Sequence, residues 1–282
     1  MTRIAITADT TCSIQKEEAK QLGVFTLPLN VIVNEVEYHD GVDINNDELC
    51  AMMRNKGIIK TSTPTFKELE DFFDGVFAQG YDKIIHFTIS SKLSSIFSMF
   101  TIACEERYGD KVVVIDSMLV CSFMGNLVKH AVNLNNEGVE FEKIVESCKE
   151  RVGAAEIYFM PESLEYLKRG GRVSPAVAAI GGLLGIKPVL SFQEGAIEKF
   201  GTTRSVKQIL PKLIEKVKEN NYSPDKHEIH IVEFDSDLST KILVDTLSKE
   251  FPEFEIKVTP ISINVCGHCG PGTCGFGFTL KP

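Results

Sequence analysis

The first half of the chain alternates short apolar segments with longer amphipathic ones. Residues 3–8, 83–89 and 112–115 are nearly continuous apolar runs, typical of strands that are buried on both faces. After Thr65, apolar residues recur at helical spacing and predict a helix with an aromatic buried face: Phe66, Leu69, Phe72, Phe73, Val76 and Phe77. Because strands and helices alternate in this way, we predict parallel βαβ units with helices on both faces of the sheet.

One more extended segment precedes these units. Residues 25–33 form an apolar run that predicts a single strand, and Asn34-Glu35 predicts a turn into a hairpin with residues 36–38. Thr65 and Glu68 have the spacing of a capping box, which indicates that the aromatic helix begins after Thr65.

The pattern changes after Pro161. Residues 193–195 (Gln-Glu-Gly) separate two extended runs and predict an antiparallel hairpin, and two further strands are flanked by long amphipathic helices. We therefore predict an α/β fold of two α/β domains. Residues 1–160 form an N-terminal domain with a parallel sheet and helices on both faces, and residues 161–282 form a C-terminal domain with a mixed sheet.

Composition and charge limit the class of protein. The chain has 282 residues, of which 43% are hydrophobic and 24% charged, as expected of a globular protein with a substantial core. A net charge of −9 without a Lys/Arg-rich face argues against nucleic acid binding. The longest nearly apolar run, residues 175–186, is far shorter than the about 20 residues of a membrane-spanning helix. The first residues lack a basic region followed by an apolar core, so we expect a cytoplasmic location.

Small polar residues follow several predicted strands: Asp9, Ser90-Ser91 and Asp116-Ser117. In an open parallel sheet these strand ends share one edge, where ligands bind. Residues 60–65 and 89–95 place further hydroxyl groups just before helices, whose N-termini stabilise anions. A carboxylate or phosphate site is one interpretation, and simple helix capping is the other. An enzyme that acts on a phosphorylated substrate through Asp9, Asp116, Arg172 and Arg204 is a further alternative, although for the two carboxylates we favour hydrogen-bond acceptance from loops.

The C-terminal segment 266–277 combines three cysteines, a histidine and five glycines. So many glycines indicate sharp turns or close approach of the backbone to a ligand. Cys266, His268, Cys269 and Cys274 are potential zinc ligands, but a C-x-x-C knuckle usually needs a second pair, and no other cysteine lies in a paired motif. The four potential ligands still leave a zinc or thiol sensor as an alternative function. The other five cysteines lie singly in apolar patterns, as expected of buried thiols.

Taken together, the motifs resemble those of the DegV family, which includes the fatty acid-binding subunits of bacterial fatty acid kinases. The matching segments occur in the family's order along the whole chain: Asp9-Thr10, Thr61-Ser62-Thr63-Pro64, Ile89-Ser90-Ser91-Lys92-Leu93-Ser94, Asp116-Ser117, Leu164-Glu-Tyr-Leu-Lys-Arg-Gly-Gly-Arg172, Ile186-Lys-Pro-Val, Thr203-Arg204 and His268-x-Gly-Pro-Gly-Thr273. The chain departs from the family pattern at Ser95, where the family has glycine. A serine would be strained there if the turn required a positive φ.

The resemblance implies a protein without catalytic activity of its own that binds one long-chain fatty acid between two α/β domains. By resemblance, the carboxylate is held by Thr61, Ser94 and His268, with Ser62 and Ser95 as near alternates. The acyl chain enters the interior of the C-terminal domain, and its expected lining is Ile180, Leu183, Leu184 and Ile186.

The resemblance also implies a partner. In the family's kinase system the binding protein presents its fatty acid to a separate ATP-using kinase subunit, which makes an acyl phosphate for phospholipid metabolism. Arg172 and Arg204 are then expected to stabilise that phosphate or to contact the kinase, because a guanidinium group suits either role. No cofactor other than the bound fatty acid is expected, and contact with a membrane is expected to be transient and confined to its surface.

Overall fold

The computed structural model describes residues 2–178 and 185–282, apart from the side chain of Ala176. In these ranges the strands are β1 (Ile4–Asp9), β2 (Phe25–Leu27), β3 (Asn30–Val33), β4 (Val36–His39), β5 (Ile59–Ser62), β6 (Lys83–Thr88), β7 (Val112–Asp116), β8 (Ala155–Met160), β9 (Lys187–Gln193), β10 (Ala196–Thr203), β11 (His227–Phe234), β12 (Ile256–Pro260) and β13 (Thr273–Leu280). The α-helices are α1 (Lys16–Leu22), α2 (Asn46–Arg54), α3 (Phe66–Phe77), α4 (Ile96–Tyr108), α5 (Cys121–Asn136), α6 (Phe141–Glu150), α7 (Glu165–Gly170), α8 (Pro175–Ala178), α9 (Val206–Lys218), α10 (Asp237–Glu250) and α11 (Ile263–Cys269).

The first sheet confirms the parallel βαβ prediction. Its order is β2-β1-β6-β7, and all three strand pairs are parallel. Helix α3 begins as its sequence predicts, because the Thr65 side chain accepts from the backbone N–H of Glu68 while the Glu68 carboxylate accepts from the backbone N–H of Thr65. Leu69, Phe73 and Val76 of this helix are buried, as the helical spacing requires.

The prediction of one strand over residues 25–33 is wrong. The structure divides this run into β2, which pairs in parallel with β1, and β3, which pairs antiparallel with β4 and β5 in a separate sheet of order β4-β3-β5. Pro28 lies between the two strands and has no backbone N–H to continue a ladder. The turn at Asn34 and Glu35 is confirmed, and both residues have the positive φ that a tight hairpin needs.

The second sheet is mixed, as predicted. Its order is β10-β9-β8-β13-β11-β12, with β11 and β12 parallel and the other neighbours antiparallel. The predicted hairpin is β9–β10, in which Glu194 and Gly195 form a two-residue turn with φ of 46° and 78°. Two positive φ values match the right-handed twist of the flanking strands.

Helix α5 lies between the first and second sheets. It carries buried residues from Cys121 to Val132, and one continuous hydrophobic core includes Ile6 and Phe87 of the first sheet together with Ile157 and Val232 of the second. A Cβ at Gly125 of this helix would lie 2.6 Å from the carbonyl oxygen of Cys12, so glycine permits the close approach. The two sheets are thus packed around a shared helix.

The division into domains at 160/161 stays a prediction. Strand β8 pairs with β9 and β13 of the second sheet, which favours a boundary a few residues earlier in the chain. Within the parts of the chain that the structure describes, no helix is both long and apolar enough to cross a bilayer.

Candidate ligand site between the two sheets

A cavity lies between the first and second sheets. Its empty volume, including the open mouth, is about 980 Å³. Most of its wall is apolar and is contributed by both halves of the chain: Leu29, Ile89, Leu93, Val120, Phe123, Ile157, Phe159, Leu167, Phe192, Ile197, Val232, Ile261 and Val265. A cavity with so apolar a wall fits a hydrocarbon chain better than a polar metabolite.

The polar part of the wall contains most of the polar site residues predicted from the sequence. Thr61, Ser62, Ser94, Arg172 and His268 all line the cavity. They are neighbours of one another, because Thr61 contacts His268, and Arg172 bonds to the backbone next to Ser94. Side chains from four segments that are distant in the sequence are therefore brought together in one polar part of the cavity wall.

Thr61 and His268 form the central polar contact of this end. Thr61 Oγ1 lies 2.7 Å from His268 Nε2, and His268 Nδ1 is buried without a partner among the described residues. Burial, followed by the nearby Arg172 charge, lowers the pKa of His268 to about 4, so its ring is neutral at neutral pH. With the proton on Nε2, the ring donates to Thr61 Oγ1, and the Thr61 hydroxyl is left to donate into the cavity.

Helix α11 carries His268 and is held by a buried aspartate. The Asp40 carboxylate accepts a hydrogen bond of 3.1 Å from the backbone N–H of Asn264, in the first turn of α11. Burial raises the pKa of Asp40 to about 6. Gly170 permits the close packing of α7 on this helix, because a Cβ at position 170 would lie 2.2 Å from His268 Nδ1. Asp40 thus holds the start of the helix, and Gly170 lies against the imidazole.

Asp9 and Asp116 hold the loop that leads to Ser94. Asp9 is fully buried and accepts from the backbone N–H of Ile89 at 2.8 Å, while Asp116 accepts from the backbone N–H groups of Ser91 and Met118 at 3.1 Å and 3.0 Å. Neither carboxylate lies in the described cavity wall. This geometry supports the hydrogen-bonding role rather than acid/base chemistry.

Arg172 is a half-buried cation in the cavity wall. Its Nε donates to the carbonyl oxygen of Leu93 at 3.0 Å, and Nη1 donates to the carbonyl oxygen of Gly170. Burial lowers the pKa of Arg172, and no carboxylate in the described ranges forms an ion pair with it. A guanidinium group that is desolvated without a carboxylate partner favours an anionic ligand.

Other predicted site residues lie elsewhere. Ser95 is exposed and outside the described wall, and its φ of −78° shows that serine causes no strain there. Arg204 is exposed and outside the wall, and the half-buried Ile186 is not part of it either. Three residues of the predicted acyl lining fall outside the described residues: Ile180, Leu183 and Leu184.

The cysteine segment does not form a metal cluster in the described ranges. No group of three or more His, Cys, Asp or Glu side chains there has a metal-binding arrangement. The Cys266 thiol donates to the carbonyl oxygen of Ile261, and burial raises its pKa, which keeps it protonated. Cys274 lies on β13, and burial raises its pKa to about 11. Protonated thiols are poor zinc ligands, so this geometry gives no support to the zinc alternative.

Sequence reasoning did not single out the apolar wall. Residues such as Phe123, Ile157 and Phe192 have the spacing of ordinary core residues, and the sequence alone does not show which of them border a gap. One signal was present in the glycines of residues 267–277, which indicated close approach of the backbone. Gly277 lies directly against the Phe123 ring.

Comparison with known proteins identifies the family. The sequence model of the DegV family, which is described as a family of uncharacterised proteins, matches residues 3–281. This chain belongs to the DegV family. A DegV domain-containing protein of Clostridium perfringens is 30% identical over 276 residues, which cover 98% of each chain. The DegV resemblance and the α/β fold with its two kinds of sheet are thereby confirmed.

Solved DegV structures share the fold over the full length. The DegV family protein of Thermus thermophilus, described as binding fatty acid, superposes with a TM-score of 0.89 and 26% identity, covering 99% of this chain and 100% of its own. A stearic acid-binding protein of Eubacterium ventriosum superposes with a TM-score of 0.86 and 27% identity, covering 100% of this chain and 98% of its own.

Proposed function

We propose that this DegV protein binds one long-chain fatty acid in the cavity between its sheets. The observation that carries the proposal is the cavity itself, which is apolar along most of its wall and has hydroxyl groups, a neutral histidine and one cation at the Thr61 end. Similar proteins of the same fold are described as binding fatty acid and stearic acid. A fatty acid fits this cavity because its carboxylate can lie at the polar part of the wall and its hydrocarbon chain along the apolar part.

The head-group contacts are assigned to Thr61, Ser94, His268 and Arg172. Thr61 donates its hydroxyl hydrogen to the carboxylate while His268 donates to Thr61, and the Ser94 hydroxyl supplies a second neutral donor. Arg172 supplies the charge that compensates the desolvated carboxylate. Ser62 also lines the cavity and is an alternate donor, whereas the exposed Ser95 is not expected to contact the ligand.

The tail accounts for most of the affinity in this proposal. Each buried methylene contributes about 0.8 kcal/mol, so a chain of about fifteen gains up to about 12 kcal/mol before ordering costs. A neutral hydrogen bond contributes only about 1 kcal/mol. The polar end therefore determines which way the fatty acid lies more than whether it binds.

Extraction of the purified protein tests the binding proposal. Mass spectrometry of an organic extract should find about one long-chain fatty acid per protein chain. Ser94→Ala should lower retention by about five-fold, the equivalent of one neutral hydrogen bond. Ser95→Ala is the matched control and should retain lipid as the wild type does, because Ser95 is exposed. Absence of lipid from the wild type, together with no uptake of added fatty acid, contradicts the proposal.

We further propose that the protein acts in the cytoplasm without catalytic activity of its own and presents its fatty acid to a separate ATP-using kinase subunit. The supporting observation is that Arg172 reaches the polar end of the cavity, where an acyl phosphate would form. Arg204 is exposed and available to contact the kinase. The product would enter phospholipid metabolism, and contact with a membrane surface would be transient.

A reconstituted reaction tests the presentation step. Fatty acid-loaded protein, a kinase subunit from the same genome and ATP should yield acyl phosphate, trapped with hydroxylamine, and the protein alone should yield none. Arg204→Gln should slow the reaction without changing lipid retention. Equal rates for the wild type and Arg204→Gln contradict the assigned kinase contact, and acyl phosphate formed by the protein alone contradicts the accessory role.

A further inference from the structure

A second, smaller cavity lies beyond the cavity proposed for the fatty acid. Its empty volume, including the open mouth, is about 210 Å³, and its wall includes Leu119, Asn126, Leu127 and Leu280. Phe123 belongs to the walls of both cavities, and it is the one described residue that does. The aromatic ring is therefore the partition between two spaces.

Strand β13 places the two cavities along one line. Thr273, at the start of the strand, lies in the wall of the larger cavity, and its hydroxyl bonds to the carbonyl oxygen of Cys269, next to His268. Thr279, near the end of the strand, lies in the wall of the smaller cavity. Gly277 shares their face of the sheet, because side chains alternate, and it lies about 13 Å along the strand from Thr273 at about 3.3 Å per residue.

Phe123 is held over Gly277. The ring is fully buried, and a Cβ at Gly277 would lie 2.8 Å from Phe123 Cε1 and 3.0 Å from Cζ. The ring also packs on His230, the residue paired with Gly277 between β11 and β13, with centroids 5.6 Å apart. His230 bonds to the buried Glu228 at 2.7 Å, and Asn126 bonds to the same carboxylate at 2.6 Å. A bonded network on the sheet thus fixes the ring in place.

We propose that Phe123 is the end wall that limits the length of the acyl chain. This inference rests on the proposed fatty acid binding. A chain that starts at the Thr61 end and follows β13 meets the ring at Gly277, beyond which the smaller cavity begins. Beyond the ring the wall is also less apolar, because Asn126 Oδ1 is buried without a partner in the described ranges and Arg151 is half-buried. The methyl end of the fatty acid therefore stops at Phe123.

Chain-length selectivity tests this role. Delipidated wild type, Phe123→Ala and Phe123→Leu are each offered an equimolar series of saturated fatty acids of increasing length, and bound species are read by native mass spectrometry. The longest chain bound should increase by about two carbons or more in Phe123→Ala, since removing the ring joins the two cavities. Phe123→Leu should increase the longest chain bound by a smaller amount, and it replaces Phe123→Ala in the test if that variant does not fold.

Phe192→Ala is the matched control. Phe192 lines the larger cavity but not the smaller one, so its removal widens the chamber without opening its end. The length limit of this variant should equal that of the wild type. Folded Phe123 variants with the wild-type limit, or the same lengthening in Phe192→Ala, overturn the inference. A wild type that binds no fatty acid of any length overturns the proposed function instead.

Discussion

The hydroxyl of Ser90 donates a hydrogen bond of 2.7 Å to the carbonyl oxygen of Gly195. Ser90 follows strand β6 of the first sheet, and Gly195 is at the tip of the β9–β10 hairpin of the second. Ile89, which precedes Ser90, and Ile197, two residues after Gly195, both line the cavity. The contact therefore closes one side of the cavity by joining a loop of one sheet to a hairpin of the other.

Gly195→Ala should weaken this closure. Gly195 has a φ of +78°, and a Cβ there would lie 2.4 Å from Ser90 Oγ and 2.9 Å from Met118 Cε. The free energy of unfolding should fall by more than the about 1 kcal/mol that a positive φ costs alanine. Gly138→Ala is the matched control, since Gly138 has a φ of +77° with nothing within 4 Å. Urea unfolding that gives equal losses for the two variants contradicts the closure role.

The parts of the fold that depend on local hydrophobic patterns and capping residues were predictable from the sequence. The continuous apolar runs of β1, β6 and β7 and the capping box at Thr65 determined the parallel βαβ units. The division at Pro28 was not predicted, because an apolar run does not show that its two ends pair in different sheets. The pairing of β8 with β13 likewise joins residues more than a hundred positions apart, which no local pattern encodes.

His268 variants should separate the hydrogen bond to Thr61 from the bulk of the ring. Glutamine places an amide nitrogen near the position of Nε2, whereas asparagine ends near Nδ1. His268→Gln should therefore retain fatty acid nearly as well as the wild type, and His268→Asn should lose about five-fold, or about 1 kcal/mol. Retention is measured by exchange against a labelled fatty acid. Equal losses for both variants indicate that the ring contributes through packing rather than through Thr61.

The polar site was more predictable than the apolar one. Thr61 and His268 are 207 positions apart, and the motifs that carry the family resemblance singled out both before the structure placed them 2.7 Å apart. Phe123 and Ile157 were missed, because a residue beside a cavity has the same spacing as one in a filled core. The difference lies in how the helices and sheets pack, which depends on contacts between residues distant in the sequence.

Thiol labelling should distinguish buried cysteines from metal ligands. Of the eight cysteines, Cys50 is half-buried and the other seven are buried. Burial raises the pKa of Cys121 to about 12, so this thiol is unreactive in the folded protein. We expect a thiol reagent to modify Cys50 alone until the protein unfolds, and Cys50→Ser to abolish native labelling. Stoichiometric zinc, with a lower Tm after chelation, supports the sensor alternative instead.

The Asp9 carboxyl links stability to pH. It is fully buried, and burial raises its pKa from 3.8 to about 6 despite the hydrogen bonds from Thr11 and Ile89. The folded protein therefore binds this proton more tightly than the unfolded chain does. The resulting stability is fully present below pH 3.8 and is lost as the pH rises through about 6.

Asp9→Asn should remove this dependence. The wild type should gain up to about 3 kcal/mol of unfolding free energy relative to the variant between pH 7 and pH 4, measured by urea unfolding at each pH. Asp43→Asn is the control of opposite sign, because hydrogen bonds from His39 lower the pKa of Asp43, so its contribution is lost as the pH falls. A wild-type advantage over Asp9→Asn that does not change with pH shows that the carboxyl titrates normally. In that case the hydrogen bond from the Ile89 backbone to Asp9 holds the loop before Ser94 equally well whether or not the carboxyl is protonated.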